Sequence, residues 1–326
     1  GCHGFCERGP LVALHPSGIL YTKVKPKQVE QIVEETVIGG EIIPGLLYKN
    51  PVDGQRIEQY EEIPFYKHQL RVAMRNIGRI DPIDILDAIA EGAYAGLAKA
   101  QYEMDPDEVI DQVAVSGQRG RGGAGFNTAR KWRSCKQAPG ERRFVLCNGD
   151  EGDPGAFKDR SIMEGDPHSV LEGMIIGADA IGSHESYIYV RDEYPMAVVH
   201  LTIAIEEARK FGLLGNDIMG SGFDFDVQIS RGGGAFVCGE SSALMRSLEG
   251  KTGEPRAKYV HSTDKGLFDL PTVLNNVETW AGIGAIVDRG GEWFASMGTE
   301  KSKGTKAFSL VGKVKNTGLI ELAMGT

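Results

Sequence analysis

The sequence predicts an α/β protein whose central part contains at least partly parallel strands. Strand signals occur at residues 144–147, 187–190 and 225–229, and an amphipathic helix over 195–211 separates the last two. A β-α-β succession is typical of parallel pairing, because a parallel strand is reached through a crossover connection. The 326-residue chain is 41% hydrophobic and 25% charged, which is the composition of an ordinary globular protein.

The elements before this sheet are predicted to be short. Residues 10–14 and 19–21 carry strand signals on either side of a turn. Apolar residues at helical spacing after Pro26 predict a helix that ends at residues 39–40, where two glycines follow one another. Residues 44–66 contain several prolines and glycines with little periodicity, so a linker is predicted there.

Three helices are predicted to begin at an Asp-Pro pair. In such a pair the aspartate accepts a hydrogen bond from the first turn and the proline occupies the first helical position. These helices cover residues 82–101, 106–115 and 167–181. Two further helices are predicted after glycine-rich loops, one from about residue 127 and one over 241–248.

Composition excludes several classes of protein. The net charge of −9 argues against a nucleic-acid-binding surface, and no apolar run has the length of a membrane span. Five cysteines in a chain of this length do not form a disulfide scaffold and fit a reducing compartment, so a cytoplasmic location is expected. The chain begins without methionine and ends within an unfinished pattern, so we expect it to be part of a longer polypeptide.

The most unusual stretch is a loop with five glycines among residues 117–125. Its glycines at 120, 122 and 125 fit the spacing G-x-G-x-x-G, but a Rossmann dehydrogenase needs a strand directly before them. The apolar spacing over 109–113 indicates a helix there instead. Bare backbone at the start of a helix, with Arg121 and Lys131 nearby, suits a phosphate group. A tight connection without a ligand is the alternative.

Other polar segments follow predicted strands. A second glycine loop, 231–240, lies between a strand and a helix, and is either a ligand loop or a sharp turn. The acidic stretch 147–155 could contact a ribose or heterocycle, bind a divalent cation, or be a solvated loop. Asn275 and Asn276 could bind the edge of a heterocycle or cap a helix.

Cys2 and Cys6 are separated by three residues in a glycine-rich setting. Two thiolates provide half of a four-coordinate cluster site, so the other two ligands would come from elsewhere. Whether this pair is a cluster half-site or two bystanders is open from spacing alone. The other cysteines, at positions 135, 147 and 238, lack such spacing and are expected to be ordinary buried side chains.

Four motifs occur in order at 117–132, 147–160, 238–250 and 275–279. Together they resemble the flavin-bearing 51 kDa subunit of respiratory complex I and its relatives, the diaphorase subunits of NAD(P)-linked hydrogenases and formate dehydrogenases. The resemblance covers about residues 85–326 and is closest to the hydrogenase type, including electron-bifurcating forms.

The resemblance implies a domain arrangement. It assigns residues 1–45 to the end of a thioredoxin-like 2Fe-2S domain, with Cys2 and Cys6 as the last two of four ligands. Residues 46–80 are then the linker, 81–308 the FMN- and NAD(P)-binding α/β domain, and 309–326 the start of a β-grasp domain of the SLBB-like kind. A 4Fe-4S cluster is expected in a further C-terminal part.

The resemblance also implies site residues. Above the flavin it places the nicotinamide dinucleotide near Phe126, Asp153, Ser241 and Lys258. No catalytic side chain is expected, because the cofactor carries the chemistry, and Asp150 and Glu240 would tune or orient the flavin. The residues expected to hold FMN are Gly120, Arg121, Gly122, Gly123, Gly125, Lys131, Asn148, Asp150, Glu151, Phe236, Gly239, Glu240, Asn275 and Asn276.

The sequence departs from the family pattern at several positions. Ser241 stands where the family has a glutamate, Asp153 where it usually has another, and Ser134 and His261 where phenylalanine would stack on adenine. A missing carboxylate and weaker stacking leave the choice between NAD and NADP open.

The function implied is hydride exchange between NAD(P)H and FMN, followed by single-electron transfer to iron–sulfur clusters of a multisubunit hydrogenase-type complex. A complex I or formate dehydrogenase subunit that oxidises NADH is the alternative within the family. A non-catalytic scaffold that binds a nucleotide is the alternative from another class. Iron–sulfur and hydrogenase subunits are the expected partners.

Overall fold

The computed structural model describes residues 3–257 and 259–326 and begins with a small antiparallel unit. Strand β1 (Leu11–Leu14) pairs with β2 (Ile19–Thr22) as an antiparallel hairpin. A helix follows over Val29–Gln31 (α1) and continues with π-helical hydrogen bonds over Ile32–Ile38. The chain leaves this helix at residues 39–40, where Gly40 has a φ of +72°. Two strands and a helix are therefore present where the sequence predicted them.

The segment 46–80 is packed rather than extended. It contains β3 (Tyr48–Lys49), β4 (Arg56–Ile57) and the short helix α2 (Pro64–Lys67). Phe65 stacks on Phe5 with ring centroids 4.0 Å apart, so the segment contacts the N-terminal unit. The division into domains remains a prediction.

The predicted helix over 82–101 is wrong as a single element. It is two helices, α3 (Ile85–Ala90) and α4 (Ala95–Glu103), because Tyr94 takes a left-handed φ of +66° between them. Asp84, not Asp81, caps α3 by accepting a hydrogen bond from the N–H of Leu86. The next helix, α5 (Pro106–Ser116), confirms the prediction, and α6 (Thr128–Gln137) begins at the Asn127 cap.

A four-stranded sheet forms the centre of the molecule. All its neighbouring strands are parallel. The three predicted strands are present in this sheet, and the helices predicted over 167–181 and 241–248 are present beside it. The helix predicted over 195–211 ends one residue early, at Lys210. In chain order its elements are β5 (Phe144–Gly149), α7 (Lys158–Gly165), α8 (Pro167–Ile181), β6 (Glu185–Arg191), α9 (Pro195–Lys210), β7 (Asp226–Gly232), α10 (Ser241–Leu248), α11 (Ser262–Lys265), β8 (Thr272–Asn276) and α12 (Val277–Ala281).

The strand order is β7-β6-β5-β8, so the chain reverses direction across the sheet beside β5. Open α/β sheets bind ligands at the carboxyl ends of the strands that flank such a reversal. Val145 and Cys147 lie in the larger core with α8, whereas Phe144 and Leu146 lie in a smaller core with α10. Both faces of β5 are thus covered, and only its end opens to a crevice.

The last part of the chain closes onto the first. Helices α13 (Ile283–Arg289) and α14 (Gly291–Ala295) precede an antiparallel hairpin of β9 (Thr305–Leu310) and β10 (Gly318–Ala323). The fully buried carboxylate of Glu321 accepts hydrogen bonds from the N–H groups of Val72, Ala73 and Met74 at 2.9–3.0 Å. This hairpin is therefore fixed to the segment before α3. Among the described residues, no helix combines the length and apolarity needed to cross a membrane.

Candidate functional site

A cavity of about 410 Å³ opens at the carboxyl ends of β5 and β8. Both glycine loops contribute to its wall, and α6 and α11 border it. Eleven of the residues predicted to bind FMN or the dinucleotide line this crevice: Gly120, Gly122, Gly125, Phe126, Lys131, Asn148, Gly239, Glu240, Ser241, Asn275 and Asn276.

The first glycine loop brings bare backbone to the crevice. The N–H of Gly120 donates to the carbonyl of Phe126 at 2.8 Å and closes the loop. A Cβ atom on Gly122 would lie 3.1 Å from Cβ of Asn276, which is tighter than ordinary van der Waals contact. Gly123 and Gly125 have φ values of +115° and +61°, which favour glycine. The loop conformation therefore requires glycine.

Lys131 extends from α6 into the crevice. Its Nζ donates to the carbonyl of Leu274 at 2.7 Å and to Oδ1 of Asn275 at 3.2 Å. Burial lowers the pKa of Lys131 to about 8. No carboxylate in the described part of the chain forms an ion pair with it. The crevice thus contains a cation whose charge a bound anion would neutralise.

Two asparagines end β8 with different surroundings. Nδ2 of Asn275 is buried and has no hydrogen-bond acceptor among the described residues. A buried donor without an acceptor is costly, so this amide indicates a missing partner. The amide of Asn276, in contrast, is fixed: it accepts from Lys158 at 3.0 Å and donates to Asp159 at 2.7 Å.

Lys158 and Asp159 belong to a buried network of charges that the sequence did not predict. Burial alone would lower the pKa of Lys158, but the carboxylates of Asp159 and Glu278, 2.5 and 3.2 Å from its Nζ, raise it. Glu278 also binds Lys306 at 2.7 Å and so connects the crevice to β9. The adjacent charges at 158–160 were visible in the sequence, but Glu278, which pairs with Lys158, lies more than a hundred residues away.

The acidic segment after β5 lies beside the crevice and does not line it. Burial raises the pKa of Asp150, whose carboxylate oxygens lack a hydrogen-bond donor in the described structure, while Arg191 at 3.8 Å opposes that shift. Glu151 caps α7 by accepting from the N–H groups of residues 158–160. Burial and nearby Asp159 raise the pKa of Glu151 to about 7. Asp153 lies in the following turn.

Arg121 and Phe236 lie outside the crevice wall, as does Gly123. The guanidinium of Arg121 is buried and donates to the carbonyl of Lys303 at 2.8 Å, so its positive end turns toward the residues before β9. The ring of Phe236 is 67% exposed. Lys131 is therefore the cation of the predicted FMN set that reaches the crevice.

The second glycine loop ends at a helix cap. Glu240 accepts hydrogen bonds from the N–H groups of Ser242 and Ala243, at 2.9 and 3.0 Å, and so begins α10. Burial would raise the pKa of Glu240, but these donors and the Ser241 and Ser242 hydroxyls lower it. The carboxylate is thus ionised and held at the rim of the crevice.

Some of the residues expected near the dinucleotide line the crevice, whereas Asp153 does not. Phe126, 47% exposed, and Ser241 line it, and so does His261. Oγ of Ser134 lies 3.1 Å from Oγ1 of Thr263, another lining residue. Lys258 lies outside the described residues, and so does Cys2.

Cys6 begins a short 3₁₀ turn over Cys6–Arg8 and is exposed. No group of three or more histidine, cysteine or acidic side chains placed to hold a metal ion occurs in the described ranges. Cys135, Cys147 and Cys238 are buried, as expected, and burial raises the pKa of Cys135 to about 12.

Comparison with known proteins identifies the family. The family model described as the Nuo51 FMN-binding domain matches residues 113–285. The chain belongs to this Nuo51 family. The matched range contains the whole crevice wall, from the first glycine loop to Asn276.

Relatives in the Nuo51 family include components of two kinds of complex. The chain is 53% identical over 259 residues to the NADP-reducing hydrogenase subunit HndC of Solidesulfovibrio fructosivorans, covering 79% of the chain and 52% of that protein. It is 50% identical over 248 residues to a subunit of the NADH-quinone oxidoreductase of Aquifex aeolicus, covering 76% and 57%. The chain therefore spans about half the length of these curated relatives.

A solved structure also matches nearly the whole chain. The crystal structure of an NAD+-reducing NiFe hydrogenase in the H2-reduced state superposes with a TM-score of 0.67 at 32% sequence identity. The match covers 98% of this chain and 50% of that chain. The α/β fold with its parallel central sheet is therefore the fold of this family.

Proposed function

We propose that the crevice binds FMN and that the chain exchanges hydride between NAD(P)H and this flavin. The observation that carries the proposal is the combination of an unneutralised Lys131, an unsatisfied Asn275 amide and two glycine loops in one cavity. Hydrogen-bond donors and a cation without partners fit a ligand that presents phosphate and carbonyl oxygens. Membership of the Nuo51 FMN-binding family supports the same ligand.

FMN fits the residues present in a specific way. Lys131 and the loop around Gly122 would hold the anionic part, and the free Nδ2 of Asn275 would donate to a carbonyl oxygen. Asn148 donates to the carbonyl of Gly239 at 2.9 Å and so joins the end of β5 to the second glycine loop. The predicted FMN contacts of five further residues have less support, because these residues lie outside the crevice wall: Arg121, Gly123, Asp150, Glu151 and Phe236.

When bound, FMN would supply the chemistry of accepting a hydride and releasing electrons singly. The chain's own residues would bind and orient FMN and the dinucleotide. Phe126, Ser241 and His261 form the wall where the dinucleotide would lie, and Glu240 fixes the start of α10 beside it. Asp150 would tune the flavin through its charge, because its carboxylate is buried without a donor. No side chain is assigned proton transfer.

We further propose that this chain works within a larger cytoplasmic assembly. The relatives are named as subunits of a hydrogenase and of a quinone oxidoreductase. Cys2 and Cys6 would supply two ligands of a 2Fe-2S cluster, and a 4Fe-4S cluster would lie in a further part. The domains would be 1–45, 46–80, 81–308 and 309–326. Identifying the proteins that copurify with the chain distinguishes the hydrogenase from the quinone oxidoreductase assembly.

Anaerobic titration tests the proposed activity directly. The purified protein is saturated with FMN, mixed with NADH or NADPH, and followed by the visible absorption of oxidised flavin. After unbound FMN is removed, we expect the protein to keep the absorption band of oxidised flavin and to lose it with at least one of the two nucleotides. A bound flavin that neither nucleotide reduces would favour the non-catalytic scaffold, and a folded protein that binds no flavin would contradict the proposal.

A further inference from the structure

A second cavity, of about 500 Å³, lies between the N-terminal residues, the segment 60–79 and the end of α13. It shares no lining residue with the FMN crevice. Five cationic side chains and one carboxylate line it: Lys67, Arg71, Arg75, Arg79, Arg289 and Glu61. The whole chain has a net charge of −9, so this concentration of positive charge is a local feature.

Neutral acceptors fix the arginines of this basic cavity. Nη1 of Arg75 donates to the carbonyls of Val72 and Ala281 at 3.1 and 3.0 Å. Nη2 of Arg79 donates to the hydroxyl of Tyr60 at 2.8 Å. Carbonyl and hydroxyl oxygens orient a guanidinium group without neutralising it, so the charge remains available to a ligand.

Carboxylates compensate this charge only in part. Glu172 lies 3.8 Å from Arg75, and Glu61 lies 3.3 Å from Arg79. Among the described residues, no carboxylate within 4.0 Å pairs with Lys67 or Arg289. The guanidinium of Arg289 instead lies over the ring of Trp293, 4.9 Å from its centroid. At the rim of the cavity, the described part of the chain therefore leaves at least two cations without an anionic partner.

We propose that the basic cavity binds a small, multiply charged anion that carries phosphate groups. Guanidinium groups match phosphate oxygens by paired hydrogen bonds, and several of them converge here. The volume suits a small molecule with more than one phosphate group rather than a single ion. This site is independent of the proposed FMN site.

Isothermal titration calorimetry with inorganic pyrophosphate tests the proposal. The test variant is Lys67→Gln/Arg289→Gln, which removes two exposed cations from the rim. The matched control is Lys27→Gln/Lys301→Gln, which removes two cations elsewhere on the surface. We expect the rim variant to weaken binding about tenfold or more, since each cation near a phosphate contributes to the attraction. We expect the control to change it by less than about twofold.

A third variant separates the two cavities. Because pyrophosphate could also bind the FMN crevice, Lys131→Gln serves as the comparison there. The proposal is supported if Lys131→Gln keeps the affinity that the rim variant loses. It is overturned if pyrophosphate does not bind, or if only Lys131→Gln weakens binding. It is also overturned if a peptide of consecutive glutamates binds in place of pyrophosphate and the rim variant abolishes that binding, which would make the cavity a protein interface.

Discussion

Lys131 is the residue of the crevice whose charge a bound anion would stabilise. Its ammonium is buried and held by neutral oxygens of Leu274 and Asn275, and burial lowers its pKa to about 8. Burial opposes the charge, so in the protein without ligand the proton is lost as the pH rises through that value. A bound phosphate favours the protonated form and would restore the charge.

The first prediction is therefore a pH dependence. FMN affinity should be nearly constant from pH 7 to about pH 8, because phosphate is already dianionic and Lys131 is protonated. It should fall by up to about tenfold per pH unit above that value. Fluorescence titration of FMN at a series of pH values measures this affinity. In Lys131→Gln the affinity should be about tenfold lower or more, and its pH dependence should disappear. A variant with the same pH profile as the wild type would contradict this role.

Gly122 lies where the first glycine loop approaches the end of β8. A Cβ atom there would be 3.1 Å from Asn276, and the amide of Asn276 is fixed by Lys158 and Asp159 and cannot move away easily. We expect Gly122→Val to abolish flavin content while the protein remains folded. Gly45→Val is the matched control, since a Cβ there meets nothing within 4 Å and residue 45 does not line the crevice. Full flavin content in folded Gly122→Val would show that the loop does not approach the ligand.

Ser241 concerns nucleotide choice. It lines the crevice beside Glu240, and the family resemblance predicts a glutamate at this position. A carboxylate near the ribose accepts hydrogen bonds from its hydroxyls and repels a 2′-phosphate, an effect of about 1 kcal/mol or more at 4 Å. We expect Ser241→Glu to lower the ratio of kcat/KM for NADPH to that for NADH by about tenfold. Ser241→Gln controls for size and should leave the ratio nearly unchanged. An unaltered ratio in Ser241→Glu would remove residue 241 from the ribose site.

At the scale of elements, one buried carboxylate joins the β9–β10 hairpin to the segment before α3. Glu321 accepts three backbone N–H groups of residues 72–74 and the hydroxyl of Thr305. Removing an acceptor leaves buried donors unsatisfied, at about 1–3 kcal/mol each before any compensation by water. We expect Glu321→Ala to lower the free energy of unfolding by roughly 3–5 kcal/mol.

Denaturant unfolding measures this change. The exposed Glu300→Ala is the control and should stay within about 0.5 kcal/mol of the wild type. If Glu321→Ala fails to fold, Thr305→Val removes one of the hydrogen bonds and should cost about 1 kcal/mol. A Glu321→Ala protein as stable as the control would show that the hairpin is held by other contacts.

Sequence patterns predicted elements best where local signals agree. Asp105 and Pro106 begin α5 and Gly117 ends it, so its bounds were predicted nearly correctly. The helix over 82–101 failed because Tyr94 adopts a left-handed conformation that side-chain periodicity does not reveal. Strand β8 was missed because it has only two apolar residues before two asparagines, and parallel pairing with β5 defines it.

At the scale of the whole molecule, the crevice could be predicted only in parts. Glycine content identified both loops, and residue patterns indicated Lys131 and the asparagine pair, which the family resemblance then assigned to FMN. The buried network could not be predicted, because Lys158 and Glu278 are brought together by the fold alone. The direction of the Arg121 side chain could not be predicted either. Its guanidinium donates to the carbonyl of Lys303, although the residue lies in the predicted phosphate loop.

The central claim is that the carboxyl ends of β5 and β8 form the flavin site. A crystal structure of the protein with FMN tests it most directly. We expect electron density for the flavin in the crevice, with an FMN oxygen within hydrogen-bond distance of Lys131 Nζ and of Asn275 Nδ2. Flavin density in another cavity, or an empty crevice in crystals grown with saturating FMN, would contradict the claim.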